Sequence, residues 1–167
     1  MSENSDAPLS QLSAADEIAL RPDERAYLSE ECDALLEQMP AGASRTTYEA
    51  LRAAVEGASV PQELADTLQR MTEVGLESGR IRSLYGAHTE MAAARLYFRL
   101  PRGRALRASV ESANEALAVL RDHPLTEASI QARGPGSFLL QIGTGNRRVT
   151  LSIARSGVSI ENIEAVV

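Results

Sequence analysis

The sequence contains no Lys, no Trp and a single Cys, and aromatic residues make up only 4% of its 167 residues. With so few aromatic side chains, the core must be built mainly from Leu, Val, Ile and Ala. The single cysteine, Cys32, excludes an internal disulfide and lacks the partners that a thiolate metal site requires. Its helical spacing from neighbouring apolar residues predicts a plain packing role. All 17 basic residues are Arg, which codon usage in a GC-rich genome explains as well as function does.

Long apolar runs are also missing from the sequence. No uninterrupted stretch approaches the roughly 18 residues that a transmembrane helix requires. The N-terminus, MSENSDAPLSQLSAADE, has neither the basic start nor the apolar stretch of a signal peptide. Together these absences predict a cytoplasmic protein that does not insert into a membrane.

The sequence offers few groups for catalysis. It has two histidines, and neither lies near Cys32, so a nucleophile with its base is not apparent. His88-Thr-Glu90 matches half of the zinc deaminase signature, but the other half requires two cysteines. The acids of the N-terminal half fall on polar helix faces, which predicts solvated side chains rather than carboxylates in an apolar pocket. We therefore expect a protein that is not an enzyme and that needs no cofactor or metal.

The first two thirds of the sequence have helical periodicity. In the first helical segment, Leu28, Cys32 and Leu35 recur at helical spacing, with acids between them. In the third segment, Gly75 and Gly79 predict the close approach of a neighbouring helix. The predicted helices cover residues 22–38, 46–57, a segment that starts at 61, 89–100 and 102–121.

The last predicted helix has the most regular pattern. Its apolar residues fall at heptad-like spacing, and they are Leu106, Val110, Ala113, Leu117 and Leu120. A helix with such a stripe buries it either within its own chain or against a second copy. The pattern therefore predicts either the central core helix or a dimer seam.

After Pro124 the apolar period changes from helical to alternating, as Phe138, Leu140 and Ile142 illustrate. Short turns rich in Gly separate the alternating segments, as in hairpins. The sequence thus predicts an α+β fold, with a bundle of about five helices followed by a small four-stranded antiparallel β-meander. The predicted organisation is a disordered tail at 1–14, a helical region at 15–123, and a β module at 124–167 packed on the last helix.

The charges are distributed unequally along the chain. Residues 1–78 hold 16 acids and 5 arginines, whereas residues 79–167 hold 7 acids and 12 arginines. Within the basic half, five arginines occur in thirteen residues without an acid. They are Arg95, Arg99, Arg102, Arg104 and Arg107. This arginine cluster is the predicted binding site for a partner or for phosphate, because guanidinium groups bind both carboxylates and phosphates through forked hydrogen bonds.

The residues support two functions, whereas a third, a small-molecule sensor or cofactor-free enzyme, has no specific support because pockets are not visible in a sequence. The first is a non-enzymatic, self-associating protein-interaction or regulatory module, which uses the heptad-like helix or an exposed sheet edge. In this function the arginines pair with acids of the N-terminal helices. The alternative is a nucleic-acid-binding regulator that uses the arginine cluster. Replacing Arg99, Arg102 and Arg104 with Ala is expected to abolish association while leaving the fold largely intact.

Overall fold

The computed structural model describes residues 17–165, and its contacts divide the chain into two compact units with a boundary between Leu100 and Pro101. The predicted tail at 1–14 lies outside the described residues. The predicted division after residue 123 follows the change from helix to strand rather than the contacts, and it stays a prediction. None of the helices within the described range combines the length and the apolarity needed to cross a bilayer.

The N-terminal unit is helical, and its α-helices within the described residues surround one apolar core. These helices are α1 (Pro22–Gln38), α2 (Ala43–Glu56), α3 (Ala65–Glu77) and α4 (Arg80–Tyr97), and a 3-10 turn (Gln62–Leu64) leads into α3. α1 has the predicted bounds because Pro22 needs no N–H partner at a helix start. The backbone N–H of Arg21 donates to the Glu24 carboxylate at 2.9 Å, which completes the first turn.

The core of this unit consists of aliphatic side chains, as the composition predicts. Leu28, Leu51, Leu68 and Leu96 are fully buried, and each contributes about 1.5–3 kcal/mol through the hydrophobic effect. Cys32 is also fully buried in this core, which confirms its predicted packing role.

The close helix approach predicted at Gly75 is present. A Cβ added at Gly75 of α3 would lie 2.8 Å from Cδ1 of Ile81 in α4, closer than real Cβ atoms come. Gly79 has a different role. Its φ of +69° lies in the left-handed region, and no heavy atom would lie within 4 Å of an added Cβ, so it shapes the turn that starts α4.

The predicted start of the fourth helix is wrong, and the sequence pattern missed a short pair of strands in this unit. α4 begins at Arg80 instead of residue 89, and Gly86, with φ 85° and ψ 174°, kinks it. The kink shifts the helical face, so no single apolar stripe marks the first half of α4. The structure also contains a short antiparallel pair, β1 (Glu17–Ala19) and β2 (Ser59–Pro61), which is too short to show an alternating pattern.

The C-terminal unit is a helix packed on a four-stranded antiparallel meander, which confirms the predicted α+β class. Its elements are α5 (Pro101–Leu117), a 3-10 turn (Ala118–Leu120), β3 (Leu125–Gly134), β4 (Ser137–Thr144), β5 (Arg147–Ala154) and β6 (Gly157–Ala165). The strands pair in chain order, so β3 and β6 form the two edges of the sheet. The turn before β4 uses Gly136 at φ 69°, which suits glycine.

Helix α5 covers one face of this sheet. Ala113, Ala116 and Leu120 are buried against Val149 and Leu151 of β5. The second half of the heptad-like stripe therefore contributes to the core of its own unit, whereas Val110 in its first half is 41% exposed.

Candidate functional site

The apolar face of the C-terminal sheet is only partly covered. The strand register places Ile130 of β3 beside Leu140 of β4, and Leu140 beside the buried Leu151 of β5. Since paired residues share a face, all three belong to the face that α5 covers. Burial falls sharply toward the β3 edge, where Ile130 is 65% exposed and Leu125 is 61% exposed.

Phe138 of β4 extends this exposed apolar area. It pairs with Ala132 of β3 and with Ile153 of β5, and it is 39% exposed. We call the group Leu125, Ile130 and Phe138 the open face. Exposed apolar side chains grouped on one face of a sheet mark interaction surfaces more often than single exposed ones do.

The two edge strands differ in how well they could accept another strand. On β6, the register shifts beside Glu161, which lies between the paired residues Ile160 and Asn162. The N–H of Val158 on the same strand already donates to Ser109 Oγ of α5 at 3.2 Å. Bulges and covering elements of this kind are how proteins protect sheet edges.

Strand β3 lacks this protection in its middle. From Glu127 to Ala132 it pairs with β4 without a register shift, and the two shifts lie at its ends. An edge strand directs half of its backbone N–H and C=O groups away from the sheet, where they can pair with another strand. The regular part of β3 next to the open face is therefore the candidate functional site.

Charged residues extend across the other side of the sheet from β3. Arg148 of β5 donates to the Glu127 carboxylate at 2.8 Å and lies 3.7 Å from Glu164 of β6. Gly143 separates Glu127 from Arg148 in the register, and its lack of a side chain leaves room for the pair. These side chains are about one third to two fifths exposed, so each pair contributes less than about 1 kcal/mol.

A further ion pair joins the two edge strands of the sheet. Arg133 of β3 lies 3.3 Å from Glu161 of β6, and both side chains are well exposed. Exposed pairs of this kind exchange partners at little cost, because water screens their attraction. They matter here because they place charges of both signs on β3.

The predicted arginine cluster is divided by the boundary between the two units. Arg95 and Arg99 belong to the N-terminal unit, and Arg102, Arg104 and Arg107 are exposed residues of α5. The binding role of the five residues stays a prediction.

The two arginines of the N-terminal unit pair with the acidic start of α1. Arg95 lies 2.5 Å from Asp23, and Arg99 forms an ion pair with Glu24 and donates to the Ala19 carbonyl at 2.8 Å. Glu24 is completely buried, so its pair with Arg99 is shielded from water on the acid's side. Arg99 thus has a structural role that the charge pattern alone did not reveal.

The prediction that the N-terminal acids are solvated is wrong for Glu24 and Glu31. Glu31 is buried, its carboxylate lies 3.0 Å from Arg80, and it accepts a hydrogen bond from the Tyr85 hydroxyl at 2.9 Å. A cavity of about 200 Å³ borders this group, and Met71 and Val74 form part of its wall. The helical pattern missed these acids because their ion-pair partners lie about fifty or more residues away in sequence.

Burial raises the pKa of Tyr85 from 10 to about 12, and the hydrogen bond that it donates to Glu31 adds to this effect. The unfolded chain therefore loses this proton at a lower pH than the folded chain. The contribution of Tyr85 to stability is complete below pH 10 and is lost as the pH rises toward about 12.

We expect the free energy of unfolding to fall between pH 10 and 12, and to fall less steeply in Tyr85→Phe. Urea denaturation followed by circular dichroism at several pH values measures this. At pH 8, the variant should be less stable by about 1.5 kcal/mol because the bond to a charged acceptor is lost. If the free energy of unfolding falls equally steeply with pH in both proteins above pH 10, Tyr85 does not titrate as described.

The remaining candidate residues for chemistry are one buried thiol and two exposed histidines. Burial raises the pKa of the Cys32 thiol to about 12. His88 lies on α4 and His123 follows the 3-10 turn, and both are exposed. Among residues 17–165, no group of three or more His, Cys, Asp or Glu side chains is arranged to hold a metal ion.

Comparisons of the chain with protein families, with curated proteins and with solved structures find no match.

Proposed function

We propose that this chain is a non-enzymatic protein-interaction module that self-associates through the β3 edge and the open face of its C-terminal sheet. The observation that carries this proposal is the exposure of Ile130 and Leu125 beside a regular edge strand. An exposed apolar edge is a site for strand pairing, and it is a liability unless a partner covers it.

The state of the only cysteine supports a non-enzymatic role. The reactive form of Cys is the thiolate, and a pKa of about 12 keeps Cys32 protonated at neutral pH. The thiol is also fully buried, so a substrate could not reach it without unfolding part of the core. A cytoplasmic setting belongs to the proposal, because a lone thiol suits a reducing compartment.

Size-exclusion chromatography with light scattering tests self-association directly on the full chain. The expected result is a mass that rises with protein concentration from the 17.9 kDa of one chain toward twice that value. The interaction surface involves only part of one sheet, so we expect a dissociation constant on the order of micromolar. A monomer mass at every concentration would contradict the proposal.

Nucleic-acid binding through the arginine cluster is the second candidate function. It is favoured by the exposure of Arg102, Arg104 and Arg107 on the first turns of α5. Fluorescence anisotropy of labelled DNA and RNA measures it. Binding that weakens steeply as the salt concentration rises would support this function, because phosphate contacts release counterions. The absence of binding at low salt would leave protein interaction as the proposal.

A further inference from the structure

The charged and apolar residues of β3 are complementary to those of a second β3 strand in one antiparallel register. We infer that the occupant of the β3 edge is a second copy of this chain, with the two β3 strands antiparallel about a two-fold axis at Ile130. Two four-stranded sheets then join into one sheet of eight strands. This inference rests on the proposed self-association and specifies its surface and register.

The geometry of antiparallel pairing limits where the axis can lie. Outward-directed backbone groups alternate along an edge strand, so outward residues must face outward residues. The two-fold axis therefore lies midway between the two strands at a position where one residue faces the same residue of the other copy. This condition also keeps the apolar faces of the two sheets on the same side, because opposed residues then share a face.

The charges on β3 favour one of the possible positions of the two-fold axis. With the axis at Ile130, the regular pairing runs from Ala128 to Ala132, and Arg133, the next residue along β3, lies beside Glu127 of the other copy. Moving the axis to Ser129 places Arg133 opposite Leu125, and moving it to Gln131 places Arg133 opposite Ser129. Of these registers, only the one centred on Ile130 pairs the opposite charges, and symmetry makes it pair them twice.

The new ion pair would continue an existing row of charges. Within one copy, Glu127 already contacts Arg148, and Arg148 lies near Glu164. Within the other copy, Arg133 contacts Glu161. Glu127 of one copy and Arg133 of the other would thus connect these existing ion pairs. The charges would then alternate in sign along the whole row.

The apolar side chains also match in this register. Ile130 faces Ile130 of the second copy, which covers the most exposed large apolar residue of the sheet. Ala128 faces Ala132 of the second copy, and these small residues leave room beside the two isoleucines. Phe138 neighbours Ala132 in the sheet and would border the contact, so Ile130 and Phe138 of the open face gain cover.

Cysteine cross-linking of the full chain measures the register. Opposed Cα atoms in an antiparallel pair are about 4.5–5.5 Å apart, which a disulfide can span. Ile130→Cys is therefore expected to form a cross-linked dimer under mild oxidation. Ala128→Cys and Ala132→Cys should cross-link when mixed, but not singly, because identical positions then lie about 14 Å apart along the strands.

Three controls keep the test interpretable. The wild-type protein carries only the buried Cys32 and should not cross-link. Ser159→Cys places an exposed thiol on β6 and should not cross-link either. Circular dichroism checks that each variant folds, which we expect because Ala128, Ile130 and Ala132 are all exposed.

The outcomes separate this inference from the proposed function. A dimer mass together with cross-links from Ile130→Cys and from the mixed alanine variants supports both. A dimer mass without these cross-links overturns the register while self-association stands. A cross-link formed by Ala128→Cys without the Ala132→Cys variant does the same. A monomer mass for the wild type at every concentration overturns self-association itself.

Discussion

Replacing Ile130 with Lys is expected to weaken self-association by at least about 30-fold, which corresponds to about 2 kcal/mol of binding free energy. Ile130 is 65% exposed in one copy and would be covered in the pair. The substitution places two ammonium groups opposite each other at the two-fold axis, where like charges repel and lose solvent. Sedimentation velocity over a concentration series measures the change.

The matched control for this prediction lies on the opposite edge strand. Ile160 of β6 pairs with Leu151, so it shares the apolar face with Ile130, and it is 41% exposed. Ile160→Lys changes charge and hydrophobicity by the same amount as Ile130→Lys but leaves β3 intact. The Ile160→Lys protein should therefore associate as the wild type does. Equal weakening in both variants would mean that β3 is not the specific interface.

Replacing Arg99 with Ala is expected to destabilise the N-terminal unit by about 3 kcal/mol. The substitution leaves the completely buried Glu24 carboxylate without its cationic partner. Oε1 of Glu24 already lacks a hydrogen bond to the described residues, so the carboxylate has little to compensate the loss. The effect falls at the lower end of the range for buried pairs because Arg99 itself is 37% exposed. Urea denaturation followed by circular dichroism measures it, since the chain has no Trp.

Arg95→Ala is the control for this prediction. Arg95 pairs with Asp23 on the same helix start, but both side chains are partly exposed. Exposed pairs contribute less than about 1 kcal/mol, so this variant should be nearly as stable as the wild type. Similar losses for Arg95→Ala and Arg99→Ala would show that burial of Glu24 does not decide the energetics.

These energetics change the expectation for the triple alanine variant at Arg99, Arg102 and Arg104. A loss of association in that variant could follow from unfolding, because Arg99 supports α1. A double variant at Arg102 and Arg104 avoids this ambiguity, since both residues are exposed on α5. It is therefore the better test of a binding role for the arginine cluster.

The sequence predicted the fold well wherever a pattern extends over many residues. The spacing of Leu28, Cys32 and Leu35 predicted α1, and the alternation around Leu140 predicted β4. It failed at α4, where the kink at Gly86 interrupts the helical period. It also missed β1, whose three residues cannot show an alternating pattern.

The candidate site was predicted less completely. An exposed sheet edge was among the surfaces expected for self-association, but the alternating pattern does not show which strands lie at an edge or how far a helix covers the face. That Ile130 is exposed while Leu151 is buried follows from the position of α5, which is a matter of tertiary packing. The arginine cluster was visible in the sequence, yet the partners of Arg95 and Arg99 lie more than seventy residues away.

Hydrogen–deuterium exchange at two protein concentrations tests the central claim most directly. Amides of β3 that point away from the sheet exchange rapidly in a monomer and gain hydrogen bonds when a second β3 strand pairs with them. We predict that the peptide covering residues 125–134 becomes protected at the higher concentration, while the peptide covering 157–165 does not change. Protection confined to another segment, or a dimer in which residues 125–134 exchange as in the monomer, would contradict the account.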